Sequence, residues 1–489
     1  MFKDEQRHRA AETIREEDLQ CFRELLSTAI VVRAAIAAGM KIVARPLSIP
    51  HLVWLSISVA FFPQRSFTSL LPLIQGILKD LPAFDKSLRQ QSEQTHRTGS
   101  KAKKRSKHSP LRTDPTTPVT EEAFVQARQR LPEQFWYHLL RLLVEAYEEK
   151  HSERQRFKGL RILSMDGTQL ALPNWPALKE HFGTAKNGSA YQRAQARMVM
   201  MHFTFTRLPY RYVLTPLTQG ETTSARVLTK ELRPKDLLLL DAGFWSYGFF
   251  WDVQNKDAFF ALRLTQKAKF KTIRKLGKND TLVRWTPAGG KWKGLPKSID
   301  LRLVKYQIPG YRSQTIVTNL LDTELVTHEE WTRLSWQSGS DGHLLPAGLY
   351  SRRWEIETTF RELKVTQGLE ANIRSRTPKS LQYEVAGHVM LYLLVRWRMV
   401  ETGEKHGIDP LRLSFKNALE ELLEIKTRMI GQSPKWVAEL MVRVIQRIAN
   451  HMVPLRPGRS YPRKKKSTNH RKAKSKQKQR LKAVARKKA

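Results

Sequence analysis

The sequence predicts an α/β fold: a sheet core interrupted by a β-rich insertion and flanked by helical N- and C-terminal regions. Three observations carry this. Arg161–Pro173, Arg197–Thr206 and Arg211–Thr218 are successive runs rich in Val, Met, Phe, Leu and Thr, which suit a pleated, half-buried surface and suggest a meander. Asp236–Asp241, read D-L-L-L-L-D, is a continuous apolar run of the kind found in a strand buried on both faces, and a carboxylate ends it. Tyr350–Lys364, read Y-S-R-R-W-E-I-E-T-T-F-R-E-L-K, has no Gly or Pro, and Trp354, Phe360 and Leu363 recur at roughly helical spacing, so it reads as a helix of about four turns packed along one side.

The 489 residues leave room for several domains, and the 86 Lys and Arg against 45 Asp and Glu give a formal charge of +41. That excess is far beyond what solubility needs and points to a partner made of phosphates, nucleic acid first. The apolar runs His51–Phe62 and Leu237–Leu240 are too short or too polar to span a bilayer. The N-terminus offers no apolar secretory core. Cys21 is the only cysteine, which excludes an internal disulfide or a cysteine-cluster zinc site and fits a reducing cytoplasm.

In chain order, residues 1–89 read as a helical domain, a candidate for DNA-end recognition, with helices around Glu16–Ala38 and Pro50–Leu78. Residues 90–120 turn to Ser, Thr, Lys, Arg and Pro and cannot bury enough apolar surface to fold, so they form a basic linker. Residues 121–266 hold the first part of the core: a helix over Glu121–Glu149, three strands turning at Asp166-Gly167, a helix over Thr222–Leu232, the D-L-L-L-L-D strand, a helix at Tyr247–Asn255 and a strand at Phe259–Leu264. Residues 267–345 carry strand-like runs at Thr281–Trp285, Ile299–Gln307 and Gln314–Leu320 between Gly, Pro and Lys turns. Residues 346–378 contain the Tyr350 helix and complete the core. Residues 379–460 return to helix, at Ser380–Val400, Pro410–Ile425 and Pro434–His451. Residues 461–489 hold 14 Lys and Arg and no acid, a polycationic arm expected to stay disordered.

Asp166 and Asp241 fall on strands that this order makes neighbours, and Glu357 is offered from a helix packed on the sheet. Each alone has an ordinary alternative: Asp before Gly is a common turn residue, an Asp at a strand end faces water, and the Tyr350 helix reads equally as an exposed helix laced with ion pairs. Together, three carboxylates need a reason to share a site, since like charges raise one another's pKa. A hard divalent cation supplies it, Mg²⁺ with Mn²⁺ as substitute; two such ions, about 3.5 to 4 Å apart, suit both oxygens of a phosphodiester displacement.

D-G-T, then D-A-G-F-W, then Y-x-x-R-x-x-x-E-x-x-x-x-x-x-K resemble the three catalytic blocks of the DDE transposases of bacterial insertion sequences, in the group defined by its Tyr-Arg-Glu-Lys block. The resemblance covers roughly Glu121–Val395 and implies a ribonuclease H-like core with a β-rich insertion between the second Asp and the Glu. It implies that Asp166, Asp241 and Glu357 are metal ligands and that Tyr350, Arg353 and Lys364 hold DNA phosphates near the cleaved end. It also implies that a Trp of the insertion stacks a flipped base; Trp285, Trp292, Trp331 and Trp336 all compete, and none is assigned. His202 and Lys186 read as core and solvated loop. The expected activity is binding of terminal inverted repeats, cleavage at the element ends and transfer of a 3′-hydroxyl to target DNA, by a homodimer formed in the DNA complex. A stand-alone metal-dependent nuclease, or a non-catalytic DNA-binding descendant, is the alternative.

Overall fold

A computed structural model of the chain describes residues 22, 25–42, 47–66, 69–70, 120–184, 193–265, 268–287, 292, 294–307, 313–333, 337–338, 344–345, 348–428 and 434–454. The basic linker, the polycationic arm, Cys21, Lys186 and Trp336 lie outside these residues. The chain divides into two compact units, one of residues 1–260 with 352–455 and the other containing residues 261–351.

In the first unit, helices α1 (Thr28–Ala37), α2 (Ile49–Phe61), α3 (Glu121–Arg128) and α4 (Glu133–His151) precede the sheet. The break between α3 and α4 falls before Pro132, which sits at the N-cap of α4 and cannot continue a helix. Strands β1 (Leu160–Ala171), β2 (Gln195–Phe203) and β3 (Pro209–Pro216) form the meander, each antiparallel to the next. Helix α5 (Pro176–Phe182) lies between the first two of them. Helix α6 (Glu221–Leu228) leads to β4 (Asp236–Leu240), which pairs parallel with β1; helix α7 (Tyr247–Gln254) leads to β5 (Phe259–Arg263), β4's other neighbour. The strand order β3-β2-β1-β4-β5, three antiparallel strands followed by a parallel crossover, is that of a ribonuclease H-like core. Among the described residues no helix is long and apolar enough to cross a membrane.

Every residue of β4 is buried, as a strand covered on both faces requires. Four consecutive leucines give such a strand no in/out alternation from which to take its register. The register is marked instead by charge. Arg161 and Asp236 are Cα partners, and Arg161 grips Asp236 with two parallel bonds, Nε to Oδ1 at 2.6 Å and Nη2 to Oδ2 at 2.8 Å. Glu148 of α4 accepts from Arg161 Nη1 at 2.7 Å.

In the second unit the end of β5 pairs with β9 (Gln314–Thr318), followed in the sheet by β8 (Ile299–Tyr306), β7 (Asp280–Trp285) and the edge strand β6 (Phe270–Gly277). Arg302 is fully buried beside Asp280 and also donates to the carbonyls of Asp322 and Val326, fastening the loop before α8 (His328–Thr332).

The helical stretch around and after residue 350, most of which belongs to the first unit, is not one regular helix. A 3₁₀ turn over Leu349–Trp354 gives way to α9 (Glu355–Arg361) and then to a π segment over Glu362–Thr366. Phe360 and Leu363 are buried as their spacing predicts, but Trp354 is 56% exposed, because the tighter 3₁₀ turn rotates it off the packed face. Short α10 (Leu369–Asn372) follows, and α11 (Pro378–His406) runs through the core, capped by Thr377 and closed by Gly407 at φ 66°. Its Val385–Val395 stretch is buried inside this unit, so it presents no face to a second copy. At Gly387 a Cβ would stand 2.5 Å from the Ser56 carbonyl oxygen, a close approach of α2 that only glycine permits. Helices α12 (Phe415–Arg428) and α13 (Pro434–Asn450) pack beyond it.

A buried charge network joins these elements. Arg207, at φ 57° in the β2–β3 turn, donates to Glu355 at 2.7 Å and to Glu362 at 3.0 Å, two turns apart along the helical stretch. Glu362 also accepts from Tyr392 Oη at 2.7 Å and pairs with Arg396, both on α11. Burial alone would raise the Glu362 pKa, but Arg396 and Arg207 overcome it and hold the carboxyl below its ordinary value. A depressed pKa contributes stability that is present above the unfolded glutamate value and lost as pH falls through the folded one. Replacing Glu362 with Ala leaves two buried guanidinium groups short of a partner and is expected to cost about 3–5 kcal/mol at neutral pH. It should also weaken the fall in stability below the ordinary glutamate range. Urea unfolding of wild type and variant across acid pH checks both, and equal stability at neutral pH would contradict the network's role.

Candidate active site

Asp166 does not sit at a turn. It lies within β1, opposite Met200 of β2, and the strand runs on through Gly167 and Thr168 to Ala171. Asp-Gly turns a chain where nothing else pairs with it, and here β2 stays paired with β1 through Asp166, Gly167 and on to Ala171. The glycine answers a different need: a Cβ on Gly167 would stand 1.9 Å from Oε1 of Glu221 in the first turn of α6. Glu221 is thus a fourth acid at this position, which the linear sequence gives no spacing to find.

Asp241 is the first residue after β4, and its carboxylate caps the following 3₁₀ turn, accepting from the Gly243 amide at 2.6 Å. Met165 and Leu240 are the last paired residues of β1 and β4, so Asp166 and Asp241 each follow directly on a matched pair. The Asp166 carboxyl is pushed up to about 7, first by burial, with Asp241 and Glu221 adding repulsion while the Gly167 amide and Arg353 oppose. Burial, and then Asp241, likewise raise Glu221, against the pull of Arg197.

Glu357 projects from α9 with its side chain 45% exposed, on the opposite side of the helix from the half-buried Glu355 and the buried Glu362. Arg353 is buried and links it to Asp166, with Nη2 at 3.3 Å from Glu357 Oε1 and Nη1 at 3.9 Å from Asp166 Oδ2. The guanidinium also lies 4.6 Å from the centre of the exposed Trp354 ring. The structure therefore brings Asp166, Asp241, Arg353 and Glu357 into one neighbourhood. Lys364 is close by but engaged: its Nζ donates to the Gln169 carbonyl at 2.7 Å and pairs with Glu370 at 3.0 Å. Tyr350 is buried on the 3₁₀ turn.

His202 is fully buried, with Nδ1 against Thr359 Oγ1 at 2.9 Å, and desolvation holds it neutral, as the core reading predicts. Trp331 and Trp285 are buried, while Trp292 is half-buried.

Among the described residues no three His, Cys, Asp or Glu side chains stand close enough to hold a metal as they are. The donor chemistry nevertheless fits a divalent cation. All the donors are hard carboxylate oxygens, and Asp166, raised first by burial and further by repulsion from Asp241 and Glu221, is a group whose charged form a cation would favour. Among the described residues, Arg353 is the cation that bridges Asp166 and Glu357.

Residues 157–394 match the family model described as "Transposase DDE domain", which spans all three acids. The chain is 27% identical to the transposase InsG of insertion sequence element IS4 from Escherichia coli over 353 residues, 71% of this chain and 76% of that protein. It is 25% identical to the putative transposase InsZ of the same organism over 130 residues, 26% of this chain and 44% of that protein. A solved piggyBac transposase synaptic complex with hairpin DNA aligns over 92% of this chain and 88% of its own at 9% identity and a TM-score of 0.36, too low to equate the two folds. With the DDE match spanning the strand acids and the helix acid, and the IS4 relative extending over most of the chain, this protein belongs to the DDE transposases of the IS4 type.

Proposed function

We propose that this DDE transposase binds the terminal inverted repeats of its element, cleaves the DNA at the element ends and transfers the freed 3′-hydroxyl strand to target DNA. The observation that carries the reading is the side-by-side placement of Asp166 and Asp241 at the end of a parallel strand pair, with Glu357 tied to Asp166 through Arg353. A DDE domain implies divalent metal use; here Asp166, Asp241 and Glu357 are the ligands and Mg²⁺ the metal, with Mn²⁺ able to substitute. When bound, such ions act as Lewis acids that activate a water or hydroxyl and stabilise the leaving oxygen of a phosphodiester.

The chain's own residues supply the rest. Arg353, planar and buried, presents two donors to a phosphate once the carboxylates no longer need it. Lys364, 21% exposed, reaches a phosphate by giving up Glu370, and Tyr350 contacts the same backbone. Replacing any one of Asp166, Asp241 or Glu357 with Ala is expected to leave end-DNA binding within about twofold while abolishing strand cleavage in Mg²⁺, because each contributes a ligand and not a DNA contact. A mobility-shift assay beside a cleavage assay checks this; a variant that cleaved at near wild-type rate would remove that residue from the site.

One chain offers one set of acids while an element has two ends, so two subunits are needed. A charge of +41 keeps free subunits apart, and DNA ends neutralise it, so monomers should pair only on DNA. Light scattering with and without end-containing duplex decides the matter: one protein copy joining both ends to target would sink the two-subunit reading.

A further inference from the structure

The second unit carries a charged concavity that none of the roles above uses. It lies on one face of the sheet near the β6–β7 turn, encloses about 490 Å³, and is lined by Lys275, Lys278 and Lys305 with the hydroxyls of Thr281 and Thr315. The register explains the grouping: Lys275 pairs with Thr281 and Lys305 with Thr315, so their side chains share a face. Asn279, at φ 64°, turns the chain and puts Lys278 at the rim.

Among the described residues the charge there is uncompensated. From Ala268 to Asn279 the chain has Lys269, Lys271, Arg274, Lys275 and Lys278 and no acid, and Lys271 to Lys275 are all exposed. The acids nearest in the hairpin and the next strand are already engaged, Asp280 with Arg302 and Asp300 with Arg284. Among the described residues no carboxylate pairs with Lys275, Lys278 or Lys305. Among the described residues no aromatic ring lines the concavity, which offers a base nothing to stack on, whereas three ammonium groups and two hydroxyls suit phosphate oxygens.

We infer that this concavity binds the phosphodiester backbone of duplex DNA, with Lys275, Lys278 and Lys305 as the contacting cations and β6 as its approach. The inference rests on the DNA transposase reading and adds a second, sequence-independent contact to it. The competing explanation is that the lysines only keep an exposed edge strand from pairing with other chains.

The test is the variant K275A/K278A/K305A in the full chain, beside wild type, with end-containing duplex followed by fluorescence anisotropy from low to moderate salt. Each phosphate contact contributes about 0.9 to the slope of log affinity against log salt, so the slope should become shallower by about 2–3. The three side chains are exposed or lie at the rim, and unchanged thermal unfolding verifies that the fold is intact. An unchanged slope overturns the inference, and new self-association of the variant by light scattering alongside it assigns the lysines to edge protection instead. If wild type itself binds duplex with no salt dependence, the DNA reading and this inference fall together; an unchanged slope in the variant alone removes only this site.

Discussion

The bidentate pair between Arg161 and Asp236 fixes what the rest of the site needs, the register of β1 against β4. Asp166 and Asp241 each stand five residues after a member of that pair, on parallel strands, so the pairing at one end sets them level at the other. Hydrophobic patterning cannot do this for β4, whose four leucines are alike and buried on both faces. A buried ion pair is a poor source of net stability, because desolvation offsets most of its attraction. Its use here is specificity: a one-residue slip would strand both charges among leucines.

The third acid is fixed by a separate device. Glu357 lies on an exposed face, where little packing locates it, while Arg207 holds Glu355 and Glu362 on the opposite face and Arg396 ties Glu362 to the long core helix. These contacts set the rotation of α9 about its axis, and with it the direction in which Glu357 projects. The change from 3₁₀ to α to π along this stretch is compatible with that grip, since each change of pitch adjusts which residues face the core. The active site therefore depends on two buried arginine–carboxylate systems, neither of which contains a reacting group.

Much of this was legible in the sequence where a strong period or an unbroken apolar run spoke for itself. The three meander strands, the D-L-L-L-L-D strand with its terminal acid, and the long C-terminal helices follow from local pattern. The Asp-Gly step misleads, because its turn propensity is overridden by continued pairing with β2 and by the approach of Glu221. Strand β6 was legible only as a Lys-rich turn, since an edge strand exposed along most of its length shows no alternation of polarity. Trp354 was assigned to the packed face on the assumption of one regular helix, and Glu221 and Arg207 carry no motif at all. Their roles arise from contacts between residues dozens to more than a hundred positions apart.

The register claim is tested most directly by replacing the ion pair with apolar residues of similar volume, R161M/D236L, and measuring unfolding and DNA cleavage on the same preparation. Such a replacement of a buried pair is typically neutral or stabilising in energy. The account predicts a folded protein of near wild-type stability whose cleavage falls by about a hundredfold, because the strand acids are no longer held level. A stable variant that cleaves like wild type would show that the leucine strand finds its register without the charges, and would contradict the account.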